Sequence, residues 1–370
     1  MKKAVVSVIN DLVTDQRVHR TCTTLQEMGY DVLLVGRRKH DSLPLAERKY
    51  KTHRMKLSAE KGIWFYIFFQ WRLFFFLRKQ HADLFVANDL DTLWPNYVVA
   101  KRKKKPLVYD THEIFTEVPE LVERKFKQKI WKRLERKIFP KLKFTFTVND
   151  SIAEWYENAY GNRPLVVRNI PNMNHSSRQL TRKEVHLPEN KKIILLQGAG
   201  INVHRGAEEA VEAMKFLDDV ILVIIGSGDV IHVLKDMAEK NHLDEKVLFI
   251  GKLPPDELRS WTRLADIGLT LDKDTNINYR FSLPNKIFDY IHAGIPVLAS
   301  DLVEVKKIVE TYNVGKITPN HDPVAIAKII REMLASPDYP IWKENTLKAA
   351  SQLNWEKEEE QLKKVYSKFL

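Results

Sequence analysis

The chain has 370 residues, 44% of them hydrophobic, which is length enough for two domains of ordinary size. A single cysteine, Cys22, excludes an intramolecular disulfide, and without metal-ligand Cys/His spacing a reducing compartment is expected. The net charge of +12 is unevenly placed: through Arg168, 33 Lys and Arg face 19 Asp and Glu, leaving 27 against 29 in the remainder. All the basic excess therefore lies in the first half, which points to an anionic partner surface, phospholipid or nucleic acid.

The N-terminus, MKKAVVSVIND, is too short in its apolar part for a signal peptide and reads as a first strand. No run is long enough to span a bilayer. Short apolar runs rich in β-branched and aromatic residues follow at Asp31–Val35, Leu84–Ala87, Pro106–Tyr109 and Phe144–Val148, separated by helix-length segments. The series restarts at Lys192–Leu196, Val220–Ile225, Val247–Ile250, Ile267–Leu271 and Val297–Ala299. Between the two lies the turn-rich Asn169–Asn190, with Pro171 and Pro188, which reads as a connector. The expected fold is α/β, two doubly wound Rossmann-like domains facing each other across a cleft, with ligands at the carboxyl ends of the strands. Residues 1–170 form the first domain and 171–354 the second.

Within the basic half, Gly62–Leu77 reads GIWFYIFFQWRLFFFL, and on a helix Lys61, Arg72 and Lys79 fall within roughly 20° of one another. The broad aromatic face is either buried against the sheet or turned to a membrane. Lys125–Phe139 reads as an interfacial basic helix ended by Pro140: Phe126, Ile130, Trp131, Leu134 and Ile138 share a face, and six Lys and Arg crowd the rest. Two Asp-x-Asp triplets, Asp89–Asp91 and Asp272–Asp274, have the spacing of a metal pair. Asp89 reads as a cleft or turn residue, and no divalent ion is expected.

The most informative stretch is Ser282–Asp301, SLPNKIFDYIHAGIPVLASD. It predicts a Pro-Asn turn, an amphipathic helix closed by Gly294, and an apolar strand. A helix opening on a polar loop presents unpaired N–H groups and a positive dipole end, which favour an anion such as a diphosphate. Asp289 stands one turn in, where its carboxylate can hold sugar hydroxyls. The block resembles the donor-site signature of the retaining glycosyltransferases of family 4, which have the GT-B fold and carry two Glu separated by seven residues. Here Asp289 takes the place of the second Glu and Phe281 that of the first.

The resemblance extends over nearly the whole chain. Gly198 ends a strand, and Arg205-Gly206 opens a helix like the family's Lys-Gly pair, whose cation neutralises the donor diphosphate; guanidinium suits phosphate by bidentate contact. The family's partner Arg falls at Ala199, leaving Lys286 to share the load. Turns at Gly226-Ser227-Gly228 and at Gly251-Lys252-Leu253 follow strands, as do the loops lining base and ribose in similar proteins. The implied donor site is Gly198, Arg205, Gly206, Gly226, Gly228, Gly251, Leu253, Ser282, Leu283, Pro284, Asn285, Lys286 and Asp289.

In the first half, His112 resembles the histidine that the family uses near the transferred sugar. Asp110 and Glu113 flank it, and Asp11, Asp15 and Arg17 lie in the first loop, where similar proteins contact the acceptor; N-capping is the plainer reading of Asp15. The final helix, Trp355–Leu370, is expected to pack back on the first domain, as in similar chains.

The resemblance implies retaining transfer from a nucleotide-diphosphate sugar, a UDP-sugar being expected, to a lipid-linked or glycan acceptor at the cytoplasmic face of an anionic membrane, with no cofactor, metal or nucleic acid. The alternatives are a nucleotide-sugar 2-epimerase of the same fold, or a basic membrane- or nucleic-acid-binding protein without catalysis.

Overall fold

The structure, a computed structural model, describes residues 1–370 except 14, 41, 43, 58, 60, 61 and 174–177. Lys61 and part of the expected connector thus lie outside the described residues. The chain divides into two compact units, Met1–Asn169 with Lys357–Leu370, and Ile170–Glu356.

The first unit holds seven strands: β1 (Lys3–Asp11), β2 (Asp31–Arg38), β3 (Lys51–Lys56), β4 (Leu84–Asn88), β5 (Leu107–Asp110), β6 (Phe144–Thr147) and β7 (Leu165–Val166). They form one sheet in the order 3-2-1-4-5-6-7, every pair parallel. The second holds six: β8 (Lys192–Gly198), β9 (Val220–Gly226), β10 (Val247–Ile250), β11 (Ile267–Thr270), β12 (Val297–Ser300) and β13 (Gly315–Thr318). Their order is 10-9-8-11-12-13, again all parallel. Both units are therefore Rossmann-like. A parallel sheet is covered on both faces by its crossover helices, so its central strands are buried along their length, as in β4, where all five residues are buried and four are apolar.

Strand order reverses between β1 and β4 in the first unit and between β8 and β11 in the second. Crossovers leave in opposite directions at these points, opening a crevice beyond the carboxyl ends, where α/β sheets bind their ligands.

Helix Gly62–Lys79 buries one side of its aromatic surface against the sheet and leaves the other exposed. Phe65, Phe69, Leu73, Phe74 and Leu77 are buried in one core with Val5, Val35 and Phe85. Trp64, Phe68, Trp71 and Phe75, spaced along the other side, remain exposed at 63%, 43%, 52% and 49%. No helix among the described residues is long and apolar enough to cross a membrane.

Helix Trp355–Tyr366 returns the chain to the first unit. There Glu358 accepts from the Arg168 guanidinium at 2.6 Å, and the Tyr30 hydroxyl donates to the Tyr366 carbonyl at 2.8 Å.

Gly226, at the end of β9, has φ +135°, and a β-carbon there would run into the Gly198 carbonyl. Gly226→Ala is therefore expected to cost roughly 1–3 kcal/mol of backbone strain and to lower the urea midpoint of unfolding. An unchanged midpoint would contradict this close approach of the two loops.

Candidate functional site

In the second unit the loops after β8 and β9 lock onto one another. Ser227 N–H donates to the Gly198 carbonyl at 3.1 Å, and Ile201 N–H to the Ser227 carbonyl at 3.0 Å. Asp229 N–H donates to Asn202 Oδ1 at 3.1 Å. This fixes the approach to Arg205-Gly206. Gly206 has φ +72°, and a side chain there would collide with the Leu271 backbone just past β11. Its absence lets the Arg205 backbone press against the end of β11, beside Asp272.

Two cations converge on Asp272, which is fully buried. Arg205 Nη1 lies 3.3 Å from Oδ1 and Lys286 Nζ 3.8 Å from Oδ2. The Arg205 guanidinium also stacks over Tyr279, 4.4 Å from the ring centroid. Burial lowers the Lys286 pKa, with Asp272 opposing and the Arg205 charge adding to the effect. Two cations against one carboxylate leave an excess positive charge, and Lys286 opens helix Lys286–Ala293, whose dipole adds to it. The arrangement is suited to a multiply charged anion such as a diphosphate.

Asp289 lies one turn along that helix and accepts from Gln197 Nε2 at 3.1 Å. Gln197, at the end of β8, accepts in turn from the Thr262 hydroxyl at 2.7 Å. A shallow pocket beside Asp289 is lined by Arg259, Thr262, Arg263 and His292. The Ser282 hydroxyl donates to the Tyr279 carbonyl at 2.8 Å, while the carbonyls of Pro284 and Asn285 accept from Ile287 and Phe288 at 3.2 and 3.0 Å to close the first helical turn. Leu253 and Leu283 pack on the core beneath. Gly228 sits against the Ile201 backbone, and Gly251 follows β10.

In the first unit, His112 is flanked by two carboxylates. Its Nδ1 is 3.1 Å from Asp89 Oδ2, and its Nε2 is 3.5 Å from Asp110 Oδ2. Burial disfavours the charged ring, but Asp89 and Asp110 outweigh it and raise the His112 pKa to about 10. The two carboxylates thus favour the imidazolium form, which can donate and stabilise negative charge.

Arg17 and Asp110 stand behind it. The Arg17 guanidinium makes a bidentate pair with Asp110 at 2.8 and 3.0 Å and donates its remaining terminal nitrogen to the Val167 carbonyl at 2.7 Å. Both are almost wholly buried, so they support His112 and are turned away from solvent. Burial opposes ionisation of Asp110, yet Arg17 and His112 hold its carboxyl below the usual range. Asp15 caps helix Gln16–Glu27, accepting from Val18 N–H at 3.0 Å. Asp11 accepts from Arg54 at 2.8 Å and from Ser42. The Glu113 carbonyl accepts from the Thr111 hydroxyl at 2.9 Å. Asp91, buried in the first turn of helix Leu90–Lys103, has its pKa pushed up by burial and by Asp89 and Glu113.

The structure thus brings Arg205 and Lys286 to one carboxylate and places His112 with Asp110. Sequence reasoning did not find Asp272, Gln197, Tyr279 or the tie between Asp89 and His112. A signal existed for Gln197, the one polar residue in the run IILLQ.

Residues 15–173 match the family described as Glycosyltransferase Family 4, and residues 177–353 match Glycosyl transferases group 1. A phosphatidyl-myo-inositol mannosyltransferase from Mycobacterium leprae is 26% identical over 192 residues, 50% of this chain and 48% of that protein. The chain spans less than half the length of the curated relatives it matches. Among solved structures, sucrose-phosphate synthase from Thermosynechococcus elongatus has a TM-score of 0.81 at 16% identity, covering 100% of this chain and 99% of that one. Anabaena Alr3699/HepE in complex with UDP-glucose has a TM-score of 0.77 at 14% identity, covering 100% of both. Both sheets and both family matches agree, and the chain belongs to the group 1 glycosyltransferases of family 4, with the GT-B pair of Rossmann-like domains.

Proposed function

We propose that the protein is a retaining glycosyltransferase that moves a sugar from a nucleotide-diphosphate donor, a UDP-sugar, to a hydroxyl of a lipid-linked or glycolipid acceptor at a membrane. The observation that carries this reading is the convergence of Arg205 and Lys286 on the buried Asp272, one helical turn from Asp289. The excess charge receives the diphosphate, and Asp289 binds ribose hydroxyls. UDP-glucose in the Anabaena neighbour and the lipid named in the mycobacterial relative support the donor and acceptor classes.

In the reaction the bond from the anomeric carbon to the diphosphate oxygen breaks as the acceptor hydroxyl attacks from the same face. The acceptor proton passes to the departing phosphate oxygen on that face, so that His112 is not called on as a base. Arg205 and Lys286 stabilise the growing charge on the leaving group; such preorganised charge is the chief means by which sites of this kind lower a barrier. Neither step needs a protein nucleophile. Asp110, held by Arg17, faces the His112 ring with its charge, and Asp11 and Glu113 border the acceptor.

Each charged hydrogen bond to the diphosphate is worth roughly 1.5–3 kcal/mol. Arg205→Ala and Lys286→Ala should each weaken binding of a UDP-sugar by about ten- to a hundredfold in calorimetric titration. His112→Ala should lose turnover while keeping donor affinity. Wild-type affinity in both cation variants would remove the diphosphate assignment, and wild-type turnover in the histidine variant would make that residue structural.

Membrane presentation rests on surface composition. Helix Lys125–Ile138 leaves Phe126 and Ile130 exposed at 75% and 47% among its basic residues, and its Trp131 packs edge-on against Tyr66 of the aromatic helix, 5.7 Å between centroids. Each basic residue near an anionic leaflet contributes on the order of 1 kcal/mol. Reversing Lys129, Arg133, Arg136 and Lys137 to Glu, sparing Lys132, which pairs with Glu117 at 2.6 Å, should abolish flotation with anionic vesicles at low salt. Wild-type protein that fails to float would show the aromatic face to have another role.

A further inference from the structure

Asp89 stands one residue beyond β4 with φ 61° and ψ 164°. That backbone region is populated almost only by glycine, and where another residue is held there the surroundings must over-determine it. Here they do. Its N–H donates to the Asp110 carbonyl at 2.8 Å, tying the end of β4 to the end of β5. Both carboxylate oxygens then go to one residue: Oδ1 accepts from the His112 main-chain N–H at 3.0 Å, and Oδ2 lies 3.1 Å from ring Nδ1. No side-chain hydrogen bond caps helix Leu90–Lys103 from Asp89, so capping does not explain the residue.

We propose that Asp89 is a positioning residue for the transfer reaction, its strained backbone aiming one carboxylate at both the main chain and the ring of His112. The proposal rests on the reading that His112 takes part in transfer. With Nδ1–H held by Asp89, the ring orientation is fixed and Nε2 becomes the nitrogen without a hydrogen-bond partner; it is buried, with Asp110 Oδ2 3.5 Å away. A glycine would adopt this backbone freely, yet it would leave the ring unanchored.

The charges facing His112 are Asp89 from the β4 end and Asp110 from β5, with Arg17 behind the latter. Asp91, whose own neighbours are Asp89, Glu113 and Arg37, faces it from the first turn of the following helix. Since the folded-state pKa of the ring, about 10, lies above the ordinary 6.5, the clamp adds stability that is full below pH 6.5. That stability is lost as the pH rises through 10.

The test is Asp89→Asn in the full chain. Asparagine keeps the shape and an oxygen for the main-chain N–H, bears the same backbone cost as aspartate, and removes the charge. Two measurements are made: the pH titration of the His112 ring by NMR, and kcat and KM over a panel of UDP-, GDP- and ADP-sugars. The expected result is a ring titration moved at least one pH unit downward, with kcat reduced tenfold or more and donor KM within threefold of wild type. An unmoved titration, or a wild-type kcat, overturns the proposal. If Asp89→Asn does not fold, Asp89→Gly, which suits the backbone and also lacks the carboxylate, is read by the same two measurements with the same criteria. Wild-type turnover in His112→Ala would instead defeat the reading of His112 itself, whatever the ring titration of the Asp89 variant.

Discussion

A carboxylate buried at the carboxyl end of a parallel strand is the interaction on which both units depend. Removed from water, such a charge costs several kcal/mol unless cations answer it. Asp272 is answered by Arg205 and Lys286, and Asp110 by Arg17 and His112. In each case the carboxylate fixes long or rotatable cations that would otherwise sample many rotamers, and the fold determines where they point. The cations answering Asp272 outnumber it, which leaves a surplus of positive charge there.

The two units also place a carboxylate at matching points of their sheets. Strand order reverses between β1 and β4 and between β8 and β11, and the chain leaving β4 and β11 presents Asp89 and Asp272. One lies against a histidine and the other against a pair of cations. The shared architecture is a scaffold, and the chemistry is decided by which residue each carboxylate faces.

Much of this was legible in the sequence because parallel strands are buried on both faces and read as continuous apolar runs. Strand β3, Lys51–Lys56, escaped for the converse reason: it is a sheet edge, only Met55 is buried, and its sequence KTHRMK carries no apolar run. Arg205, Lys286 and Asp289 could be singled out by motif. Asp272 could not, since in Asp272-Lys273-Asp274 it has the spacing of a metal pair; in the fold Asp274 turns away to Arg280 at 3.0 Å while Asp272 goes inward. The role of Asp89 depends on a backbone angle and on a residue 23 positions away, and neither leaves a mark on local sequence. The aromatic helix was ambiguous because its hydrophobicity runs all round, with one side serving the core and the other left in the open.

Of the two departures from the family pattern, the convergence of Arg205 and Lys286 bears on the missing cation alone. Ala199 offers no cation and Phe281 no carboxylate, yet Lys286 stands 3.8 Å from the same Asp272 that holds Arg205. The most direct measurement of this account is a crystal structure of the protein with UDP bound. It should place the diphosphate oxygens within hydrogen-bonding distance of the Arg205 guanidinium and Lys286 Nζ, with the ribose hydroxyls on Asp289. A nucleotide bound with its phosphates away from both cations would contradict it.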